Sequence, residues 1–460
     1  MKYFINILFL VLNINFLHAQ NQTNNWYFGF NAGITFNTNP PTALSGGQVY
    51  TYEGCSSISD SAGNLLFYSA GDTVWCSNHT IMPNGTGLWG NKSATQSCLI
   101  LPKPSSSTLY YLITTPALEV QSHPLAYSII DKSLNGGLGA VTIKNVSLLD
   151  SSTEKVAATY HQNGTDIWII AHEFPNNNFY AYLLTAAGIS PAPVISSVGI
   201  SISINTYRQG YLKASPCGTQ LAMANFGLTS LELFDFDNST GVVSNALLLG
   251  QWASGMMGVE FSPDNSKLYG SFNAPPIVLQ YDLGAGSPAA IIASMDTIGI
   301  ATSSYIGALQ TGLDGRIYLS KYNSGYLNCI TNPNQLGNLC GYIENYVSLS
   351  GTGAYGLPNC LSSFFCNITS DVNSIVYENA ISFHPNPFVD EISITFQKQN
   401  IKQVSFAIKS IFGQTVFYKE EINLSSTYTK TIDLCFLANG IYLIDVIVDG
   451  ERTVKKIVKG

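Results

Sequence analysis

Charge is scarce in this chain. Only 10% of its 460 residues are Asp, Glu, Lys or Arg, while 12% are aromatic. A disordered polypeptide shows the opposite balance, many charges and few rings, so the composition excludes disorder over most of the length. No run of lysine and arginine forms a basic stripe, and the net charge is −8. That excludes the footprint expected of a nucleic-acid or anionic-membrane partner. No CxxC occurs, so the closely spaced pairs of a zinc site are missing. No GxSxG elbow, P-loop or HExxH occurs, and no cysteine stands in a setting that would make it a nucleophile. The sequence therefore offers no catalytic residue, no cofactor site and no metal site.

Long apolar runs are also few. The longest, Phe4 to Leu17, follows Lys2, contains three asparagines and ends just before Ala19. It falls short of the ~20 residues of a spanning helix and reads as a signal peptide over residues 1–19. No other stretch is long enough to span, so an exported chain without a transmembrane segment after cleavage is expected. Nine cysteines in such a chain invite disulfides, although nine is odd. Cys55, Cys98 and Cys360 sit in short apolar strands, where a free thiol packs as a small hydrophobe. Cys329 and Cys340 bracket a loop containing Asn-Pro and Gly, and are the candidate disulfide.

Glycine is abundant at 40 residues, and it marks a repeat. "GCSSISDSAGNLLFYSAGDTVW" from Gly54, "KVAATYHQNGTDIWIIAHE" from Lys155, "GYLKASPCGTQLAMAN" from Gly210 and "MGVEFSPDNSKLYGSF" from Met257 share one pattern. So do the segments from Cys98 and Ile306. Each is a short apolar strand, a polar turn and a second strand rich in aromatic or β-branched residues. The turns fall near 63, 107, 164, 218, 265 and 315. A period of about 44–57 residues with some four strands per unit is the signature of a β-propeller. A seventh unit can be assembled from both ends, with 25–37 supplying two strands and 356–365 an innermost one, which removes the open edges. The expected fold is all-β: a seven-bladed β-propeller over 25–366, about 49 residues per blade, with an open solenoid as the structural rival.

Composition shifts near residue 370. Residues 1–380 carry 11 basic and 20 acidic side chains, and residues 381–460 carry 9 and 8. The aperiodic stretch 367–380 reads as a linker. Beyond it, Ile392, Ile394 and Phe396 alternate with Ser393, Thr395 and Gln397, and Val404, Phe406 and Ile408 repeat the pattern. Seven short strands in eighty residues predict an immunoglobulin-like β-sandwich. Pro385 and Pro387 cannot donate ladder hydrogen bonds, so "HPNP" must be an edge or lead-in segment.

Two resemblances follow from these motifs. "HQNGTDIWIIAHEFPNNNFYAYLLTAAGIS" and "ELFDFDNSTGVVSN" resemble propellers of large Bacteroidota surface proteins associated with gliding motility, which implies a fold and a surface location but no chemistry. "HPNPFVDEISI", "IFGQTV" and "LANGIYLIDVIVDGERTVKKIVK" resemble the type A sorting domain of the type IX secretion system. The motif positions here are His384, Pro385, Asn386, Pro387, Phe388, Gly413, Gly440, Tyr442, Lys456 and Lys459. His384 departs from the family, which more often has an aromatic such as tyrosine there. The resemblance implies that 381–460 is an address, read by the type IX translocon and often removed by a sortase-like peptidase, so that the protein is secreted or surface-held by way of the periplasm.

His161 and His172 are the most tempting chemical pair. A turn at Asn163-Gly164 would put His161 opposite Asp166 and His172 opposite Lys155, roughly 20 Å apart along the strands at ~3.3 Å per residue. They cannot share a metal or a bond. "DFDNSTG" (235–241) resembles the start of a calcium loop through Asp235, Asp237 and Ser239. The twelfth position, where an EF-hand wants Glu, is Ala246, and a hairpin turn explains the residues equally well. The aromatic excess could line a glycan-binding surface or simply pack between blades. The expectation is a non-enzymatic binding or adhesion protein for a surface glycan or polymer. The alternative is a secreted polysaccharide lyase or glycosidase with paired carboxylates at the propeller channel.

Overall fold

A computed structural model describes residues 21–120, 123–302, 305–366, 381–396, 401–410, 415–424, 428–448 and 451–460. The expected signal peptide, the linker 367–380 and Gly413 lie outside the described residues. The chain divides into two compact units, residues 1–367 and 368–460.

The larger unit holds seven small antiparallel sheets among the described residues. Their first strands are Asn25–Phe28, Ser56–Ser59, Cys98–Pro102, Ser152–Tyr160, Leu212–Ala214, Met256–Phe261 and Ile306–Thr311. Later strands follow in chain order, each antiparallel to the one before; only in the fourth sheet do two segments, Gly188–Ile189 and Val194–Ile202, share one neighbour. Burial falls outward: Met256–Phe261 is buried throughout, whereas the sheet's last strand, Asp296–Ile300, buries only Ile298.

The first hairpin turns explain why the repeat was readable. Gly63, Ser105, Gly164, Gly218, Asn265 and Gly315 all have positive φ, from 59° to 88°. A left-handed residue is what a tight β-hairpin needs, and Gly or Asn supplies it with least strain. The backbone bonding recurs as well: Gly218 donates to Ser215, Asn265 to Ser262 and Gly315 to Gly312.

The first strands of the third, fourth and seventh sheets each serve two cores. Cys98 and Ile100 pack with the second sheet, while Leu99 and Leu101 pack with the fourth, the period-2 alternation of a strand buried on both faces. Similar cores fill the gaps between the fourth and fifth sheets and between the sixth and seventh. The last sheet returns to the first: Tyr318 meets Trp26 edge-on at 5.8 Å and Phe36 at 5.6 Å. The sheets therefore form a ring.

The seam differs from the expected one. Asn25–Phe28 pairs with Ala32–Thr35 only, and 356–365 forms no ladder with it. Closure comes instead from single backbone contacts. Phe30 and Thr352 exchange hydrogen bonds, Ala308 donates to Tyr355, and Tyr355 donates to Tyr52. Residues 355–359 thus stand between the first strands of the seventh and second sheets. Backbones approach closely here: a Cβ on Gly307 or Gly356 would lie 2.0 or 1.8 Å from a carbonyl oxygen.

The smaller unit has two sheets. One orders Ile381–His384, Glu391–Phe396 and Tyr428–Asp433; the other orders Thr415–Leu424, Ile401–Ser410, Gly440–Val448 and Glu451–Lys459. Ile392, Ile394, Val404, Phe406 and Ile408 are buried in one shared core, as the alternation requires.

Candidate functional site

The ring has two distinguishable ends. In the second to seventh sheets the first strands begin and the second strands finish at the leading end, and the first hairpins lie at the turn end; the first sheet runs the other way, with Asn25 bonded to Gly63 at the turn end and Phe30 of its hairpin bonded to Thr352. The chain from Tyr355 to Cys366 runs from one to the other through the middle. Asn359 donates its backbone N–H to Cys55 and its side-chain Nδ2 to the Cys98 carbonyl. Gln96 ties the same region together: Nε2 donates to the carbonyls of Val156 and Leu212 and to Asn359 Oδ1, and Oε1 accepts from the N–H groups of Val156 and Leu212. Farther on, Ser363 Oγ meets Thr159 Oγ1 at 2.7 Å and accepts from Tyr160 N. Cys366 is disulfide-bonded to Cys217 in the first turn of the fifth sheet. The axis is filled by the protein's own chain.

Beside that chain lies a buried ion pair. Lys213 Nζ is 3.1 Å from Glu260 Oε2 and 2.5 Å from Gln310 Oε1. Gln310 Nε2 donates to Cys360 Sγ. Burial pushes the Glu260 carboxyl up while Lys213 opposes the shift, and burial raises the Cys360 thiol to about 12. Such a thiol stays protonated and inert. The cavity lined by Lys213, Glu260, Gln310, Thr311 and Cys360 measures about 10 Å³, room for about one water molecule. It cannot admit a sugar.

The leading end holds a second polar group. Glu154 accepts from Thr95 N and Oγ1 on one oxygen and from Leu118 N on the other. Burial and then the Glu154 charge push the neighbouring Glu53 carboxyl well above the usual carboxylate range. Its Oε2 is buried without a partner among the described residues. Lys155 Nζ donates to the carbonyls of Arg208 and Gln209, and burial lowers it to about 7. Glu154 and Lys155 are fully buried, and their polar atoms are committed to backbone and to the Thr95 hydroxyl.

What remains open at this end is aromatic. Tyr322 and Tyr355 stack at 4.5 Å. Tyr305 lies 6.4 Å from Tyr355, and Phe30 6.1 Å from Tyr322. Phe30 in turn sits 4.8 Å from Tyr50 and 5.6 Å from Tyr52. Tyr50, Tyr52 and Tyr305 are 52%, 39% and 48% exposed. The six rings come from three sheets' leading ends and the axial chain. Sequence reading missed them; the signal was Tyr50 and Tyr52 alternating ahead of Gly54 in "VYTYEG", outside the repeat's own strands.

The other flagged residues separate as follows. His161 lies opposite Asp166, and its ring bonds Ser239 O and Asn163 N. His172 is buried, bonds Glu173 O through Nδ1, and burial lowers it to about 3. The two histidines do not meet. Asp237 accepts from Ser239 and Thr240, and Asp235 from Asn245, as a self-satisfied turn does. Among the described residues no group of three His, Cys, Asp or Glu is placed to hold a metal. The expected Cys329–Cys340 disulfide is corrected: both are free and buried. They face opposite sides of the seventh sheet, Cys329 in the core shared with Tyr318 and Cys340 in the core shared with Tyr269.

In the tail, Asn386 donates through Nδ2 to Lys456 O and accepts from Val458 N. Phe388 is buried and exchanges backbone bonds with Val458 and Gly460. Lys459 Nζ donates to the carbonyls of Leu434 and Cys435, and Tyr442 Oη to Ala438 O. The "HPNPF" segment is thus clamped to the final strand, seventy residues on. Residues 382–460 match the family described as the secretion system C-terminal sorting domain. The tail is a type IX sorting domain. It implies interaction with the type IX machinery and export to the cell surface or secretion. No helix among the described residues is long and apolar enough to cross a membrane.

No curated protein sequence matches the chain. Similar solved structures include Kluyveromyces lactis Hsv2 (9% identity, TM-score 0.40, 67% of this chain and 90% of that one). Another is the periplasmic gluconolactonase PpgL of Pseudomonas aeruginosa (10%, 0.40, 84% and 97%). A third is the Cps50 (Swd1) β-propeller domain of Myceliophteria thermophila (9%, 0.42, 67% and 95%). At these identities and scores no activity passes from them to this chain.

Proposed function

We propose that this protein is an exported, non-enzymatic binding or adhesion module. In this reading residues 1–19 are a signal peptide, residues 25–366 a seven-bladed β-propeller, and 381–460 an immunoglobulin-like sandwich that serves as the secretion address. The translocon reads the address and a sortase-like peptidase removes it. The observation that carries the binding reading is the occupied axis. A propeller enzyme acting on a polysaccharide needs an open axial pocket with convergent carboxyls; here residues 355–366 fill the axis, and the cavity beside them takes about one water. Among the described residues the Glu53–Glu154 pair favours the enzyme alternative, yet both Glu154 oxygens are engaged by Thr95 and Leu118.

The test is a glycan and surface-polymer binding screen on the secreted chain, run beside an assay for polymer shortening. Binding without turnover supports the reading, and turnover abolished by Glu53→Gln overturns it. For the address, deleting 381–460 strands the protein in the periplasm, and normal release of the truncated chain refutes that role.

A further inference from the structure

The leading end exposes a contiguous aromatic surface that nothing in the ring covers among the described residues. Large exposed apolar patches on a soluble domain mark sites of interaction. These rings are not plain hydrophobes. Five are tyrosines, and none of their phenolic oxygens bonds a described residue, whereas the buried Tyr68, Tyr182, Tyr269 and Tyr318 hydroxyls all have partners. The patch therefore presents ring faces and edges set at steep angles to one another, with donor–acceptor hydroxyls among them.

Its electrostatics narrow the ligand. Phenyl and phenol side chains bring no formal charge to the patch, and burial and then the Glu154 charge push the neighbouring Glu53 carboxyl up. The nearest buried cations are engaged elsewhere, Lys321 with Asn345 and Glu344, and Lys155 with Arg208 and Gln209. Two exposed charges of opposite sign stand beside it, Lys92, whose carbonyl accepts from Tyr52 N, and Glu119, which accepts from Ser93 Oγ, so the rim favours neither an anionic nor a cationic polymer.

Resting on the binding reading above, we propose that Phe30, Tyr50, Tyr52, Tyr305, Tyr322 and Tyr355 form a platform for an uncharged β-linked hexopyranose chain. Equatorially linked pyranoses match it chemically: their C–H-rich faces lie on the rings while their hydroxyls meet the phenols. A proline-rich polypeptide is the competing occupant, since it too docks on aromatic surfaces, but it brings few groups for five free hydroxyls to pair with.

The test measures binding of the full secreted chain to hydroxyethyl cellulose and to cellohexaose and mannohexaose by affinity electrophoresis and calorimetry, with polygalacturonate and a polyproline peptide as comparison probes. The expected result is saturable binding to an uncharged polymer, weakened about tenfold or more in the Tyr50→Ala/Tyr52→Ala double variant. Thermal stability should hold in that variant, and Tyr418→Ala in the tail should leave binding unchanged. Undiminished glycan binding in the double variant overturns this site while the binding function stands. Binding of polyproline or polygalacturonate in place of the neutral polymers overturns the ligand class. No binding to any of these probes overturns the platform and leaves the broader screen to judge the binding reading.

Discussion

Gln96 and Asn359 lie 263 positions apart in sequence, yet Gln96 Nε2 donates to Asn359 Oδ1 at 3.3 Å in the middle of the ring. The same Gln96 amide satisfies the N–H and C=O groups of Val156 and Leu212. One side chain thus joins the third, fourth and fifth sheets to the axial chain. Gln96→Leu leaves several buried backbone groups unpaired, each costing ~1–3 kcal/mol. We expect a loss of about 3 kcal/mol or more in a denaturant titration; a change within ~0.5 kcal/mol would mean that water or a neighbour takes over these groups.

The Cys217–Cys366 bridge closes a separation of 149 residues. Constraining so long a loop is worth about 2–5 kcal/mol. Cys217→Ser and Cys366→Ser should each lower the melting temperature, dithiothreitol should lower the wild type to the same level, and the variants should then be insensitive to it. Peptide mapping that finds Cys329 joined to Cys340 would contradict this assignment.

His172 is buried, and its folded pKa of about 3 lies below the ordinary 6.5, through burial first and the Lys155 charge second. Between those values the unfolded chain binds a proton that the folded chain refuses, so acidification through this window removes stability. Against His172→Phe, the wild type should lose a few kcal/mol more from pH 7 to pH 4. Parallel stability curves would show that the imidazole is not held neutral.

Glycine matters unequally around the ring. A Cβ on Gly356 would lie 1.8 Å from the Glu53 carbonyl oxygen, which is backbone and cannot swing aside. Gly356→Ala should cost several kcal/mol, on the order of 3 or more. Gly315 has φ +75° with nothing within 4 Å, and Asn265 fills the equivalent place in its own turn. Gly315→Asn should stay within ~0.5 kcal/mol. Equal effects at both sites would refute the close-approach account.

Asn386 clamps the last strand through Lys456 and Val458. Asn386→Ala removes two hydrogen bonds worth about 1–2 kcal/mol together and should reduce export along with tail stability. Wild-type export at reduced tail stability would show that the machinery reads something other than this clamp.

Local chemistry made much of this protein legible in its sequence. The hairpins declare themselves because a left-handed turn residue and period-2 alternation are properties of a dozen consecutive positions, and "HPNPFVDEISI" is likewise one short stretch. Contacts made at a distance were not legible. Both faces of a first strand are buried, so apolar residues alone do not say which partner each face meets, and Cys329 and Cys340 looked paired when they serve opposite cores. The tertiary structure alone decided that Cys217 finds Cys366, that the last residues of the ring cross its axis, and that rings from residues 30 to 355 assemble into one surface. Those outcomes depend on ring closure, which sets the ends of the chain side by side and is encoded by no single segment.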